Sequence, residues 1–239
     1  WTNGVSSWIP LEVFEKNQPN EIDFDEFLGK PCGASMDLSD INDFSAVSLC
    51  FKDGEKYVYR HQFFIPEDTI YEKYKQDNIN VLDWVQSGLL TATPGRTIDE
   101  DFIFEKIAEW AEAFKIVAFY YDPWQSKELI KKLDENFSHI LFVPFAQSLK
   151  NFSAPTKFYE KCIYDGRIID NNPIMKWMVP NTIVKPDANG NYKPLKPSRT
   201  STKRIDGVVT AIMARAAIDE NTAKPSAAYK SVESLLKSF

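Results

Sequence analysis

The sequence predicts an α/β domain: a mixed β-sheet, an antiparallel meander followed by parallel strands, flanked by helices on both faces. Three observations predict it. Three strand-like segments follow one another from Pro31 with only short turn signals between them, as an antiparallel meander requires. From residue 98 onward the pattern changes to helix, strand, helix, strand, the alternation that builds parallel pairs. KIVAFYY (115–121) is apolar without alternation, which suits a strand covered on both faces.

Residues 1–30 are polar and acidic apart from WIPLEVF, and are expected to form a lead-in segment that docks on a neighbour. GASMDLS, FSAVSLCFKDG and KYVYRHQFFIP are the three strands, separated by turn signals at residues 39–43 and at Lys52-Asp53-Gly54. Pro66-Glu67-Asp68 has the proline-led, acidic form of a helix start, and VLDWVQSGLL is a second helical patch ending near Gly88. Residues 98–114 carry an apolar helical stripe at Phe102, Ile103, Ile107, Trp110 and Phe114 with acids between. After KIVAFYY, Asp122-Pro123 combines an N-cap residue with proline at the first helical position, predicting a helix through Leu133. HILFVPFA is expected as another buried strand, residues 155–164 as a helix, and NTIVKPDANGNYKP as a hairpin turning at Asn189-Gly190. A helix over about 205–218 follows, then a polar linker and the amphipathic tail AYKSVESLLKSF. The first strand is expected to lie centrally, beside the strand ending at Asp122, because sites in such sheets form at strand ends near a switch in strand order.

The chemistry is narrowed by what the chain contains. No run of about 18 uncharged apolar residues occurs, and no basic-then-apolar leader, so the expectation is a soluble, non-secreted protein with no membrane partner. Cys32, Cys50 and Cys162 are odd in number and widely spaced, the pattern of reduced, buried thiols. With only His61 and His139, neither a histidine-rich zinc site nor a HExxH helix is possible. Any metal site must be built on carboxylates.

Asp37, Asp122 and Asp206 each stand where an apolar run meets a turn or a helix start. Singly each has an ordinary explanation: a turn acid, a helix cap, an acid in a first helical turn. Asp37 is the least ordinary, since strand propensity disfavours an acid among Gly33, Ala34, Met36 and Leu38. If the strands ending at Asp37 and Asp122 are adjacent and parallel, both carboxylates emerge on one edge, and a helix opening at Asp206 brings the third. Two divalent cations about 4 Å apart on such a set clamp a phosphodiester. Without metal the three acids would repel one another and be strained or partly protonated. The net charge of −6 does not advertise a polyanion partner, yet Lys185, Lys193, Lys196, Arg199, Lys203 and Arg204 stand against the single acid Asp187 and run directly into Asp206. That stretch is either a solvated loop or a phosphate-holding surface.

GASMDLSDINDFSAVSLCF, YDPWQSKELIKKL, FVPFAQSLKNFSAPTKFYE, NNPIMKWMVPNTIVKPDANGNYKPLK and STKRIDGVVTAIMARA resemble, in order, the blocks of the C-terminal nuclease domain of the large terminase subunit of tailed bacteriophages. They span Gly33 to about Ala217, and IDG with its apolar helix is the most specific. The resemblance implies a ribonuclease H-like, RuvC-like fold and a metal-dependent endodeoxyribonuclease that cuts concatemeric double-stranded viral DNA by two-metal hydrolysis. Asp37, Asp122 and Asp206 fall on its three metal-ligating acids, for two divalent cations, Mg2+ or Mn2+. Asp43, with Asp40 in the same turn, matches an outer supporting or structural acid. Gly207 stands where some relatives have a second acid, and Asp170-Asn171-Asn172-Pro173 where many have a histidine before the NP.

Implied partners are double-stranded DNA and, in the full-length protein, an N-terminal packaging ATPase, the small terminase subunit and the portal protein, in the host bacterial cytoplasm. This chain has no GxxxxGK[ST], and GLLTATPGRT lacks the spacing and the lysine, so no ATP hydrolysis is expected from it. The expected division is a lead-in over 1–30 as the remnant of that connection, a nuclease domain over 31–219, monomeric when isolated, and a tail over 220–239. Two alternatives stay open: a non-catalytic DNA-binding or docking module of the packaging motor, and a RuvC-like junction resolvase. Aromatic stretches such as KFYE and WMVP are expected in the core rather than as base-stacking platforms.

Overall fold

Strand β1 (Pro31–Asp37) pairs antiparallel with β2 (Ser45–Asp53), which pairs antiparallel with β3 (Lys56–Pro66). In the computed structural model, which describes residues 7–16, 18–39, 44–77, 81–124, 126–198 and 201–222, these three form the expected meander. Gly54, at φ +58°, supplies the left-handed residue that the tight β2–β3 turn needs. On the other side of β1, β5 (Lys115–Tyr121) pairs in parallel, and β6 (Leu141–Pro144) extends the sheet beyond it. The strand order is β4-β3-β2-β1-β5-β6, so β1 is central and beside the strand that leads to Asp122, as expected.

Two short parallel strands share the outer edge of the long β3. β4 (Leu90–Thr93) pairs with its second half and β7 (Ile168–Ile169) with its first. Neither was expected, because segments of four and two residues are too short for a hydrophobic period to register.

Strand alternation divides the core into two layers. Cys32, Ala34 and Met36 face a cluster with Val47, Leu49, Phe51 and the apolar stripes of α4 (Glu100–Ala113) and α5 (Lys127–Asn136). The opposite face packs on α8 (Asp206–Thr222), over which α6 (Leu149–Tyr164), α7 (Pro173–Met178) and α1 (Leu11–Glu15) lie. α8 is buried all round from its first residue to Ile218, which explains its lack of a polar face: it is a central helix with a sheet on one side and helices on the other. The N-terminal segment docks on this same domain. Trp8 donates its indole N–H to Glu160 at 2.9 Å, and Phe14 is 1% exposed.

Several boundaries differ from the sequence reading. Asp122-Pro123 does not open a helix: α5 begins at Lys127 with Ser126 before it, and Asp122 folds a turn of its own. α6 starts at Leu149, six residues before Pro155, because Ser148 caps it by accepting from the Asn151 N–H and buried Phe152 anchors its first turns. The strand in HILFVPFA is only Leu141–Pro144 and half-buried. The expected hairpin over 181–194 reduces to one bridge, Ile183 with Leu195, closed by a turn in which Asp187 accepts the Asn189 and Asn191 N–H groups. α2 (Ile70–Asp77) and α3 (Val81–Gln86) match the two helical patches expected there, and the three cysteines are free and buried.

Candidate metal and nucleic-acid site

One extra residue in β5 sets the register of the site. Cys32 pairs with Ile116 but Gly33 pairs with Ala118, so Val117 is bulged out. From there the strands stay in step to Met36 with Tyr121, and the next step places Asp37 beside Asp122. Without the bulge Asp37 would face Tyr121, and Asp122 would lie one residue beyond it. The bulge also fixes the face: Ala118 and Tyr120 point to the α8 side, so Asp122 continues on that side, as Asp37 does after Gly33 and Ser35.

α8 runs antiparallel to β1 and keeps phase with it. Gly33 meets Ala214 and Ile218, the Ser35 hydroxyl donates to the Thr210 carbonyl at 2.7 Å, and Asp37 is within the field of Asp206. Two strand residues advance about 6.6 Å and four helical residues about 6 Å, so contacts at 33, 35 and 37 fall against 214, 210 and 206 without strain. Thr210 is held from the sheet as well. Its hydroxyl shares a 2.6 Å hydrogen bond with Ser48, Ser48 lies 2.7 Å from His61 Nδ1, and His61 Nε2 lies 2.9 Å from Asp170. Gly207 has a packing reason: a Cβ there would stand 2.4 Å from the Met175 sulfur and 2.9 Å from the Phe63 ring. An acid after Asp206 would need both side chains to move.

Asp37 feels both of the other acids. Burial, then Asp206, then Asp122 push the Asp37 carboxyl well above its ordinary range, while the side-chain amide of Gln147, donating at 2.8 Å, and Lys196 pull it down. Burial raises Asp122 too, opposed by the Trp124 N–H, which donates to its Oδ1 at 3.0 Å, and by Lys193. Asp206 is 8% exposed in the first turn of α8. Among the described residues no three His, Cys, Asp or Glu side chains are grouped so as to hold a metal ion as they stand. One oxygen of Asp37 accepts from the Gln147 amide, and one of Asp122 accepts from the Trp124 backbone N–H of its own turn. The donor set fits a hard divalent cation, with anionic oxygens carried by a strand end, a strand-following turn and a helix start.

The basic residues divide. Lys193 and Lys196 are half-buried beside the acids, and Lys193 donates to the Gln147 carbonyl. Lys185 and Lys203 are exposed. Arg204 is 8% exposed and donates to the Ser201 carbonyl, a structural placement unlike that of the lysines. Arg199, Asp40 and Asp43 lie outside the described residues, as does the tail from residue 223. Sequence reasoning missed Gln147. The available signal was its position three residues beyond β6, which runs parallel to β5 and therefore opens on the same edge as Asp122.

The family model described as the terminase large subunit, endonuclease domain, matches residues 1–221. Protein YmfN of Escherichia coli (strain K12) is 28% identical over 226 residues, covering 90% of this chain and 49% of that protein. The terminase large subunit of Enterobacteria phage HK97 is 31% identical over 183 residues, covering 75% of this chain and 36% of that protein. Its crystal structure superposes with a TM-score of 0.77 at 28% identity, over 87% of this chain and 43% of that one. The large terminase nuclease from thermophilic phage G20c with bound magnesium shares the fold at a TM-score of 0.54 and 12% identity, over 89% of this chain and 98% of that one. The chain thus spans about half or less of the length of the curated relatives it matches. No helix among the described residues is long and apolar enough to cross a membrane. With its ribonuclease H-like sheet and a match over nearly its whole length, the chain belongs to the terminase large subunit endonuclease domain family.

Proposed function

We propose that this chain is the nuclease of a phage DNA-packaging terminase, a divalent-metal-dependent endodeoxyribonuclease that cuts concatemeric double-stranded viral DNA by two-metal phosphodiester hydrolysis. The observation that carries this reading is the grouping of Asp37, Asp122 and Asp206 at one sheet edge, close enough to raise the proton affinity of Asp37. Family membership and the magnesium and cobalt bound in structures of the G20c large terminase nuclease support it.

In this reading Asp37, Asp122 and Asp206 hold two ions, Mg2+ or Mn2+. Bound there, such ions supply Lewis-acid activation of water and charge neutralisation at the leaving oxygen. Gln147 orients Asp37 through its amide, and the closed turn at Trp124 orients Asp122. Lys193 and Lys196 lie beside the acids to receive phosphate oxygens, and exposed Lys185 and Lys203 widen the contact along the DNA backbone. Arg199 and Arg204 extend the same basic segment, Arg204 by shaping it from within. The reading places the nuclease domain at 31–219 in the host cytoplasm, with a packaging ATPase, small terminase subunit and portal as partners of the longer protein.

Supercoiled plasmid incubated with the chain in Mn2+ or Mg2+ is expected to be nicked and linearised, and chelator is expected to stop it. Absence of cleavage, or cleavage that survives unchanged in Asp37→Ala and Asp206→Ala, would sink the assignment. Salt-dependent DNA binding that needs neither metal nor Asp37 would point instead to a docking module, and preference for four-way junctions to a resolvase.

A further inference from the structure

The turn after β5 carries a large side chain that the fold does not use. Trp124 is 82% exposed, the highest value among the exposed large apolar side chains of the described residues. The other described indoles are engaged: Trp8 donates to Glu160, Trp110 is 2% exposed in the core, and Trp84 packs on Trp177 with ring centroids 5.6 Å apart. A single exposed apolar residue ordinarily needs no explanation. This one differs in its mounting. Its backbone N–H donates to Asp122 Oδ1 at 3.0 Å, the Ser126 hydroxyl donates to the Asp122 carbonyl at 2.7 Å, and Pro123 fixes the backbone between. The indole is therefore carried on a closed turn, two residues from a site acid, on the edge where Lys193 and Lys196 place positive charge.

We propose that Trp124 is a base-stacking contact, its indole lying against the face of a nucleobase next to the phosphate held at the acids. The proposal rests on the nuclease reading above. Phosphate contacts from lysines fix position but not the local state of the DNA; an aromatic face adds a contact that any base can satisfy. In an intact duplex both faces of a base are covered by its neighbours, so the contact requires unstacking at that step. Trp124 thus favours DNA that is nicked, gapped or readily opened at the cut.

The test uses the 239-residue chain and fluorescein-labelled duplexes, one intact and one with a central three-nucleotide gap, with binding followed by anisotropy in Ca2+ across a salt series. Trp124→Ala is expected to weaken binding to the gapped duplex about tenfold. Trp124→Phe should keep most of the affinity, and the intact duplex should be affected less. The salt dependence should keep its slope, because no phosphate contact is removed. The proposal is overturned if Trp124→Ala binds the gapped duplex like the unsubstituted chain, if Phe is as poor as Ala, or if the slope falls by about one charge. Should Trp124→Ala match the unsubstituted chain in both binding and plasmid cleavage, stacking fails while the nuclease reading stands. An unsubstituted chain that neither binds nor cuts DNA overturns both.

Discussion

The carbonyl oxygen of Ala214 lies 2.3 Å from where a Cβ on Gly33 would stand, so β1 and α8 touch through bare backbone. Because α8 keeps phase with β1, this contact at one end also sets the approach of Asp206 to Asp37 at the other. Gly33→Ala must push the helix off the sheet, since the clashing atoms are main chain and cannot rotate away. Overpacking of this kind costs about 1–3 kcal/mol or more, and at about 2–4 °C per kcal/mol the melting temperature should fall by roughly 5–10 °C. Plasmid cleavage should fall further than stability at a temperature where the variant is still folded. Gly54→Ala is the control: nothing lies within 4 Å, and only the φ of +58° opposes it, a cost of about 1–2 kcal/mol with cleavage retained. Equal losses in the two variants would refute the helix-phasing role.

Asp37 gives a pH prediction whose sign follows from its surroundings. Burial and the neighbouring Asp206 and Asp122 raise its folded-state pKa above the 3.8 of an ordinary aspartate. The folded chain therefore holds this proton more tightly than the unfolded chain, and ionising Asp37 costs native stability. That cost is absent below about pH 3.8, grows through the window up to the raised pKa, and is full above it. Asp37→Asn cannot ionise yet still accepts from Gln147. In chelator at neutral pH it should melt above the unsubstituted chain, and the gap should close near pH 4. Adding Mn2+ should raise the melting temperature of the unsubstituted chain more than that of the variant. A variant less stable at both pH values would contradict the repulsion.

How far the site could be read from the sequence depended on the length scale of each cause. β1, β2, β3 and β5 were legible because seven or more residues of apolar or alternating pattern outvote local noise, and α8 because its long apolar run registers as a helix, though not as the central one. The pairing of β1 with β5 followed from topology. The bulge at Val117 did not, since one extra residue in an unbroken apolar run leaves no mark on hydropathy, yet it decides which residue stands beside Asp37. Asp122-Pro123 misled because an Asx turn and a helix N-cap use the same aspartate chemistry, and only the start of α5 at Lys127 separates them. Gln147 and Lys193 were illegible as partners because their meeting joins segments 46 residues apart through a carbonyl.

Gln147 supplies a third prediction. Its amide is the group that lowers the proton affinity of Asp37 most, ahead of Lys196. Removing it leaves Asp37 easier to protonate and free to turn away from the acids. Gln147→Ala should reduce cleavage about tenfold or more at fixed Mn2+, in line with partners that orient metal ligands. The acid limb of the pH–rate profile should move to higher pH, and raising pH or Mn2+ should recover part of the loss. A rate loss with an unmoved acid limb would show that Gln147 acts elsewhere.

The chain from Thr210 through Ser48 and His61 to Asp170 supplies the last. It has the residue types of a hydrolytic triad, but Ser48 meets Nδ1, and the His61 and Asp170 side chains are 0% and 1% exposed, so no substrate reaches the serine. His61 joins the two ends: Nε2 lies against Asp170, Nδ1 against the Ser48 hydroxyl, and Ser48 against the Thr210 hydroxyl, which itself donates to the Asp206 carbonyl. The network ties β2, β3 and the segment before α7 to the second turn of α8, whose Thr210 hydroxyl also lies 3.1 Å from the Asp206 carbonyl. Asp170→Ala leaves a buried N–H without its acceptor and should cost about 1–3 kcal/mol. In urea this should appear as a lower midpoint at unchanged slope. Asp170→Asn, which keeps an acceptor oxygen, should recover much of the loss. If Asp170→Ala unfolds at the same urea concentration as the unsubstituted chain, the network does not hold α8, and the position of Asp206 must come from apolar packing alone.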